Sequence, residues 1–363
     1  MLNRPRFRRL AAAAAVLLIL GLTLLPSGDG APPPFAFHLD FEHRWLSAAI
    51  LNVWLFIPLG LALGWKSRSP VFAIAGGLLL STAIELTQTA IPGRDGGLND
   101  ILSNTLGTAL GVLVALHPTS WLAPDAKRSR LLTLASLTAV ASIMAGSALL
   151  LWPIRTPLIP QNARYQFVSS GAQEPETINP IFVREVPSTE EPLFIGRAGN
   201  DLLLGYPTLA GAAGLDQPEY WLAGAFPDRN RDTVPMLLRR ERARWQLSAG
   251  GQPLGTLGPT IGQGWALLAY PNVIGRRWGA LLSALWLVGL CVPIGFWANE
   301  RNLFLFAAVG VALALALIPQ AIGAAPSRGL ELAGAAAGLL AGASLRWLAY
   351  LSNEGSDSGP TRT

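Results

Sequence analysis

A glutamate at position 85 lies inside an apolar stretch that runs from Val71 to Ile91. A carboxylate at membrane depth costs ~2.5–3.5 kcal/mol by insertion scales, so it needs a partner or a task. Other polar groups stand close by in the chain: Asn52 in the preceding apolar segment, Gln88 one turn on, Arg94 in the loop, and Asp100 and Asn104 entering the next segment. Ser81, Glu85 and Gln88 share one helix face, and so do Asp100, Asn104, Gly107 and Gly111. Such a set can accept from hydroxyls and amides and hold a phosphate or carboxylate on the guanidinium. Glu85 and Asp100 would also serve as an acid/base pair. No Ser/His, Cys/His or metal-ligand arrangement accompanies them, so no catalytic residue, metal or cofactor is assigned. A binding role is favoured over an enzyme.

Plainer roles compete for each residue. Asn99 or Asp100 can cap the helix that starts there and answer its dipole. Arg94 can pair with Asp95 or Asp100, and Asn52 and Asn104 can be interhelical glue. Gly107 and Gly111 form a Gly-x-x-x-Gly packing surface, and Pro58 with Gly60 can be a simple kink. Glu85 can be a buried acid satisfied by Gln88, Asn52 or Arg94.

The elements that must position these groups are membrane helices. The 363 residues are 51% apolar and 13% charged, with mean hydropathy +0.40; soluble domains run near ~25% charged. About eight apolar segments approach the ~20 residues that cross the hydrocarbon: Leu10–Leu25, Leu46–Trp65, Pro70–Ile91, Asp100–Leu116, Leu131–Trp152, Trp278–Trp297, Leu303–Ala321 and Gly329–Tyr350. Without water for the backbone, each is expected to be a helix. Basic residues are dispersed among segment ends, which excludes a nucleic-acid stripe. The single Cys291 excludes an intrachain disulfide.

Charge gives the expected orientation. Arg4, Arg6, Arg8, Arg9, Lys66, Arg68, Lys127, Arg128, Arg130, Arg301 and Arg346 all fall on one side if both termini are cytoplasmic. The polar set around Glu85 is then expected toward the outer leaflet. The basic, apolar N-terminus reads as an uncleaved anchor, followed by a stiff Pro32–Pro34 linker.

Residues 153–277 differ in texture. Short apolar stretches at Arg164–Ser169, Ile181–Val186, Pro192–Arg197, Leu202–Tyr206, Tyr220–Phe226, Met236–Arg239, Arg244–Ser248 and Trp265–Tyr270 are separated by turn residues, notably Gly250-Gly251 and Asp228-Arg-Asn. This predicts a small extracytoplasmic β-sandwich. Arg239, Arg240, Arg242 and Arg244 could line one face of it. The resulting organisation is a five-helix region over 1–152, the β domain over 153–277, a three-helix region over 278–352 and a disordered cytoplasmic tail over 353–363.

An internal repeat also shows. Leu55-Phe-Ile-Pro-Leu-Gly60 matches Leu290-Cys-Val-Pro-Ile-Gly295, and Asp100, Gly107, Gly111 are spaced as Glu331, Gly338, Gly342. A parallel 4+4 duplication is expected, in the manner of duplicated transporters. Leu317 falls near the counterpart of Glu85, and Ala335 at that of Asn104, so the second copy should keep packing and lose polar function.

The series Asn52-Val-x-Leu-Phe-x-Pro-Leu-Gly60, Glu85-x-x-Gln88, Arg94 and Asp100-Ile-x-x-Asn104-x-x-Gly107-x-x-x-Gly111 resembles the VanZ-like family. The motif lies within residues 50–116. The resemblance implies a cell-envelope role and functional positions at Asn52, Glu85, Gln88, Arg94, Asp100 and Asn104. The family's namesake is associated with low-level teicoplanin resistance, and no reaction is implied. The expected function is therefore binding of an amphiphilic envelope ligand, a lipid-linked glycan or a glycopeptide, in an outer-leaflet polar pocket among membrane lipid. The alternative is a proton-coupled secondary transporter using Glu85.

Overall fold

A computed structural model describes residues 5–26, 44–65, 67, 69–94, 96–153, 162–168, 176–177, 194–198, 201–206, 208–217, 220–224, 233–249, 252–269 and 271–357. The Pro32–Pro34 linker, Asp95, the Ile181–Val186 stretch and the turn residues Asp228-Arg-Asn and Gly250-Gly251 lie outside them. Two compact units divide the chain, Met1–Pro124 and Asp125–Thr363. The fifth apolar segment thus packs with the second unit.

The first unit is α1 (Pro5–Thr23), α2 (Trp45–Gly64), α3 (Pro70–Gln88), α4 (Leu98–Leu116) and the short α5 (Pro118–Leu122). Pro70 opens α3, where its missing N–H costs nothing and its fixed φ is already helical. The α3–α4 turn uses Gly93 at φ 72° and Gly96, whose added Cβ would sit 2.9 Å from the Glu85 carbonyl oxygen. Ala15 and Ile19 of α1, Phe56 and Leu59 of α2 and Ile84 of α3 form one buried cluster. α2 and α4 approach far more closely, backbone against backbone. A Cβ on Gly107 would strike the Val53 carbonyl, on Gly111 the Ile57 carbonyl, and on Gly60 the Thr108 carbonyl. At all three glycines a side chain would meet the backbone of the neighbouring helix, and small residues are how membrane helices come this near. Pro58 lies inside α2.

The second unit begins with α6 (Ala126–Leu150), whose start is capped by Asp125 accepting from the Arg128 N–H at 2.8 Å. It ends with α8 (Pro271–Trp297), α9 (Arg301–Ile322) and α10 (Gly329–Asp357). Val140, Met144, Leu287, Cys291, Val311 and Leu339 lie in its core, and Arg130 donates to both Glu300 oxygens at 2.9 and 3.1 Å. Here α8 and α10 repeat the α2–α4 contact: Cβ atoms on Gly338, Gly342 and Gly295 would strike the carbonyls of Val288, Val292 and Leu339. The glycine spacings shared by the two halves therefore produce the same helix pairing in each. Leu317, aligned with Glu85, is exposed on α9.

Among the described residues seven helices are long and apolar enough to cross a membrane, namely α2, α3, α4, α6, α8, α9 and α10. Exposed leucines such as Leu79, Leu113 and Leu313 suit a hydrocarbon solvent. The first apolar segment, expected as an eighth span, forms α1, whose opening turns carry Arg6, Arg8 and Arg9.

Between α6 and α8, among the described residues, stand the short α7 (Leu209–Ala212) and eight strands: β1 (Asn162–Val168), β2 (Glu176–Thr177), β3 (Phe194–Ala198), β4 (Asp201–Gly205), β5 (Tyr220–Leu222), β6 (Thr233–Glu241), β7 (Arg244–Ala249) and β8 (Gln252–Leu257). They form two four-stranded antiparallel sheets, ordered β1-β6-β7-β8 and β2-β3-β4-β5. Buried Tyr206 stacks on Tyr220 at 5.3 Å and meets Trp245 of the other sheet at 5.8 Å. Two expectations are corrected. Trp265–Tyr270 was expected as a strand, but Ile261–Leu267 is a 3-10 helix, because Thr260 and Gln263 form a capping box that starts a helical turn. Its apolar run packs against helices, with Trp265 Nε1 donating to Ser283 Oγ at 3.0 Å. β8 was not expected, since Pro253 and Gly255 break its pattern; such residues belong on an edge strand.

Burial pushes the Tyr220 phenol up from its ordinary 10.0, against the neighbouring Tyr206 hydroxyl, which pulls it down. The folded state thus holds that proton more tightly than the unfolded state. Its contribution to stability is complete below about pH 10 and is lost as pH rises above the unfolded value. Denaturation midpoints should show wild type losing stability relative to Tyr220→Phe as pH passes ~10. A constant gap from pH 8 to 11 would contradict this.

Candidate functional site

All six polar residues singled out in the sequence belong to the first unit, at the end of α3, the start of α4 and the facing part of α2. Glu85 is 1% exposed, and its Oε2 accepts from the Gly97 N–H at 2.9 Å. Gly97 is the N-cap of α4 and has no capping side chain of its own. Glu85 therefore reaches across from the last turn of α3 to satisfy a donor at the start of α4, where lipid offers no acceptor. The cap expected from Asn99 or Asp100 is not made by Asp100, whose carboxylate instead takes a hydrogen bond from Asn52 of α2.

Gln88 and Arg94 serve the other kind of helix end. Gln88 Nε2 donates to the Thr23 carbonyl at 2.9 Å, and Arg94 donates through Nε to Leu25 at 3.0 Å and through Nη2 to Leu22 at 3.4 Å. These carbonyls belong to the C-terminal end of α1 and the residues just beyond it, which have no further helical N–H to accept from. Arg94 and Asp100 both act electrostatically on Glu85, and Arg94 also acts on Asp100. Asn104, 2% exposed, donates to Ser81 Oγ at 3.0 Å, joining α4 to α3. The two helix faces inferred from spacing do meet here.

The hydrogen-bonding capacity is not exhausted. Asn104 Oδ1 is buried with no partner among the described residues, and buried carbonyl oxygens of this kind are ordinarily satisfied. Arg94 has five N–H groups, of which the contacts above use two. Sequence reasoning found the side chains, but it missed their partners, which are mostly backbone atoms of other helices. The i, i+4 spacing of Ser81 and Glu85 was the one usable signal.

The second unit answers the same structural need differently. Arg328 N–H, at the position equivalent to Gly97, donates to Glu331 Oε2 at 2.9 Å, while the Thr260 hydroxyl donates to Oε1. Glu331 is 1% exposed. This acid, spaced from Gly338 and Gly342 as Asp100 is from Gly107 and Gly111, accepts at the start of its own helix.

Fold and site together define a multi-pass membrane protein of the cell envelope, with a polar cluster tied into helix ends in its N-terminal unit. Residues 12–121 match the family model described as VanZ/LLP1. The matched residues, less than a third of the chain, lie within that unit and make it VanZ-like. No curated protein and no solved structure matches the chain.

Proposed function

We propose that the outer end of the VanZ-like unit binds the polar head of an amphiphilic envelope ligand, a lipid-linked glycan or a glycopeptide. The observation that carries this reading is the unspent capacity of a buried cluster. Asn104 Oδ1 lacks a donor among the described residues, beside two carboxylates and an arginine in mutual electrostatic reach. Hydroxyls or amides of the ligand donate to Asn104 and Glu85, and the free edge of Arg94 meets a phosphate or carboxylate. Asp100, oriented by Asn52, accepts a further donor, and Gln88 holds the α1 end that frames the site. The charge pattern of the segment ends favours cytoplasmic termini, with this end and residues 153–277 outside the cytoplasm. The repeated α2–α4 and α8–α10 contacts favour a duplicated ancestor with one polar half.

The test is tolerance to teicoplanin in a sensitive bacterial host expressing the full chain. Wild type should raise tolerance, and Glu85→Gln and Arg94→Lys should remove the effect at equal membrane protein level. Both variants protecting as wild type does would end the proposal. Flux driven by a pH gradient in proteoliposomes, lost in Glu85→Gln, would favour coupled transport instead.

A further inference from the structure

A second polar site lies wholly inside the second unit, away from every residue discussed so far as ligand-binding. Glu241 pairs with Arg244 across the β6–β7 hairpin, so Arg242 and Ala243 form its two-residue tip. Arg242 adopts φ 57°, a left-handed conformation uncommon for a side chain of this size. It is held there from both sides: Ala243 N–H donates to the Gly323 carbonyl at 3.3 Å, and Arg242 Nη1 donates to the Gln320 carbonyl at 3.3 Å. The hairpin tip is thus clamped onto the last turn of α9.

Beneath it opens a cavity of about 450 Å³, walled by Arg242 and Arg244 above and by Ala312, Ala316, Pro319 and Gln320 of α9 at the side. Among the described residues no aspartate or glutamate lines it. Arg244 is half-buried, and its Nε is fully buried with no hydrogen-bond partner among the described residues. A buried donor on a guanidinium is costly to leave unmade. Ala312 and Ala316 lie one turn apart and are both exposed, so the wall continues as a shallow groove along the apolar face of a candidate membrane span. Two cations at the end of a span, with small residues running into the hydrocarbon region below, match a charged head joined to an acyl chain.

We propose that this cavity is the headgroup site of an anionic phospholipid. The phosphate meets Arg244, with Arg242 beside it, and one acyl chain lies over Ala312 and Ala316. A phosphate-specific soluble site would need no such groove, and a purely apolar cleft would need no arginines. In this arrangement lipid would bridge the hairpin and α9.

The full-length protein, delipidated in detergent, is titrated with short-chain phosphatidylglycerol and with phosphatidylcholine of equal chain length, read by native mass spectrometry. The expected result is binding of phosphatidylglycerol at least about tenfold tighter than phosphatidylcholine, with the preference lost in Arg244→Gln. Ala316→Phe, on an exposed face where folding is not at risk, should weaken phosphatidylglycerol by filling the groove. Equal affinity for the two lipids in the wild type would overturn the proposal, as would wild-type binding by both variants. Inorganic phosphate displacing phosphatidylglycerol at equal concentration would also overturn it, in favour of a soluble anion. If Arg244→Gln does not fold, the wild-type lipid preference and Ala316→Phe decide. None of these readouts involves Glu85 or Arg94, so failure here leaves the VanZ-like reading standing.

Discussion

Gly111→Val should leave the N-terminal unit largely unfolded. Its added Cβ would run into the Ile57 carbonyl and lie 2.7 Å from the Leu61 nitrogen and 2.8 Å from the Gly60 Cα. These are backbone atoms of α2, which no rotamer change can move aside. Overpacking a tight interior costs roughly 1–3 kcal/mol when side chains can adjust, and more when they cannot. In lipid the contact is also the main attraction between the two helices, because apolar side chains gain nothing by leaving hydrocarbon for one another. The expected readout is loss of monodisperse protein in detergent, or a melting temperature lowered well beyond that of Leu113→Ala on the exposed face of α4. Gly342→Val should do the same to the second unit, where its Cβ would meet the Val292 carbonyl and the Phe296 nitrogen. A melting temperature for Gly111→Val equal to wild type would show that α2 and α4 do not touch in this way.

Glu85→Leu and Glu85→Gln should separate stability from function. Leucine matches the hydrophobic surroundings, but it strips the Gly97 N–H of its acceptor. A buried donor left unpaired costs about 1–3 kcal/mol. Glutamine keeps a carbonyl oxygen for the same bond and should stay close to wild-type stability. It removes only the carboxyl group that the proposed ligand would meet. Thermal melts in detergent are therefore expected to rank wild type and Glu85→Gln together, above Glu85→Leu, while tolerance assays place both variants below wild type. If Glu85→Leu melts with the wild type, the bond to α4 is not holding the helix start.

Much of this was legible before any coordinates. Helix positions followed from hydropathy, because a backbone without water has one local solution. The glycines at +7 and +11 from an acid pointed to close packing in both halves, and the contacts of Gly107, Gly111, Gly338 and Gly342 have that form. Glu85 was conspicuous by cost alone. What could not be read was the identity of its partner. Gly97, Thr23, Leu22 and Leu25 contribute only backbone atoms, and any residue would supply those. Which helix end arrives beside which side chain is decided by tertiary packing. The Trp265 segment failed for a related reason. A short apolar run does not distinguish strand from helix, and the capping pair Thr260 and Gln263 outweighed it.

The polar grip on α1 bears on how the chain matures. Were a peptidase to trim the leader-like N-terminus after Leu25, the amide of Gln88 and the guanidinium of Arg94 would lose the carbonyls they hold. Ala15 and Ile19 would leave a void against Phe56. A chain without that segment would therefore be less stable than one that keeps it.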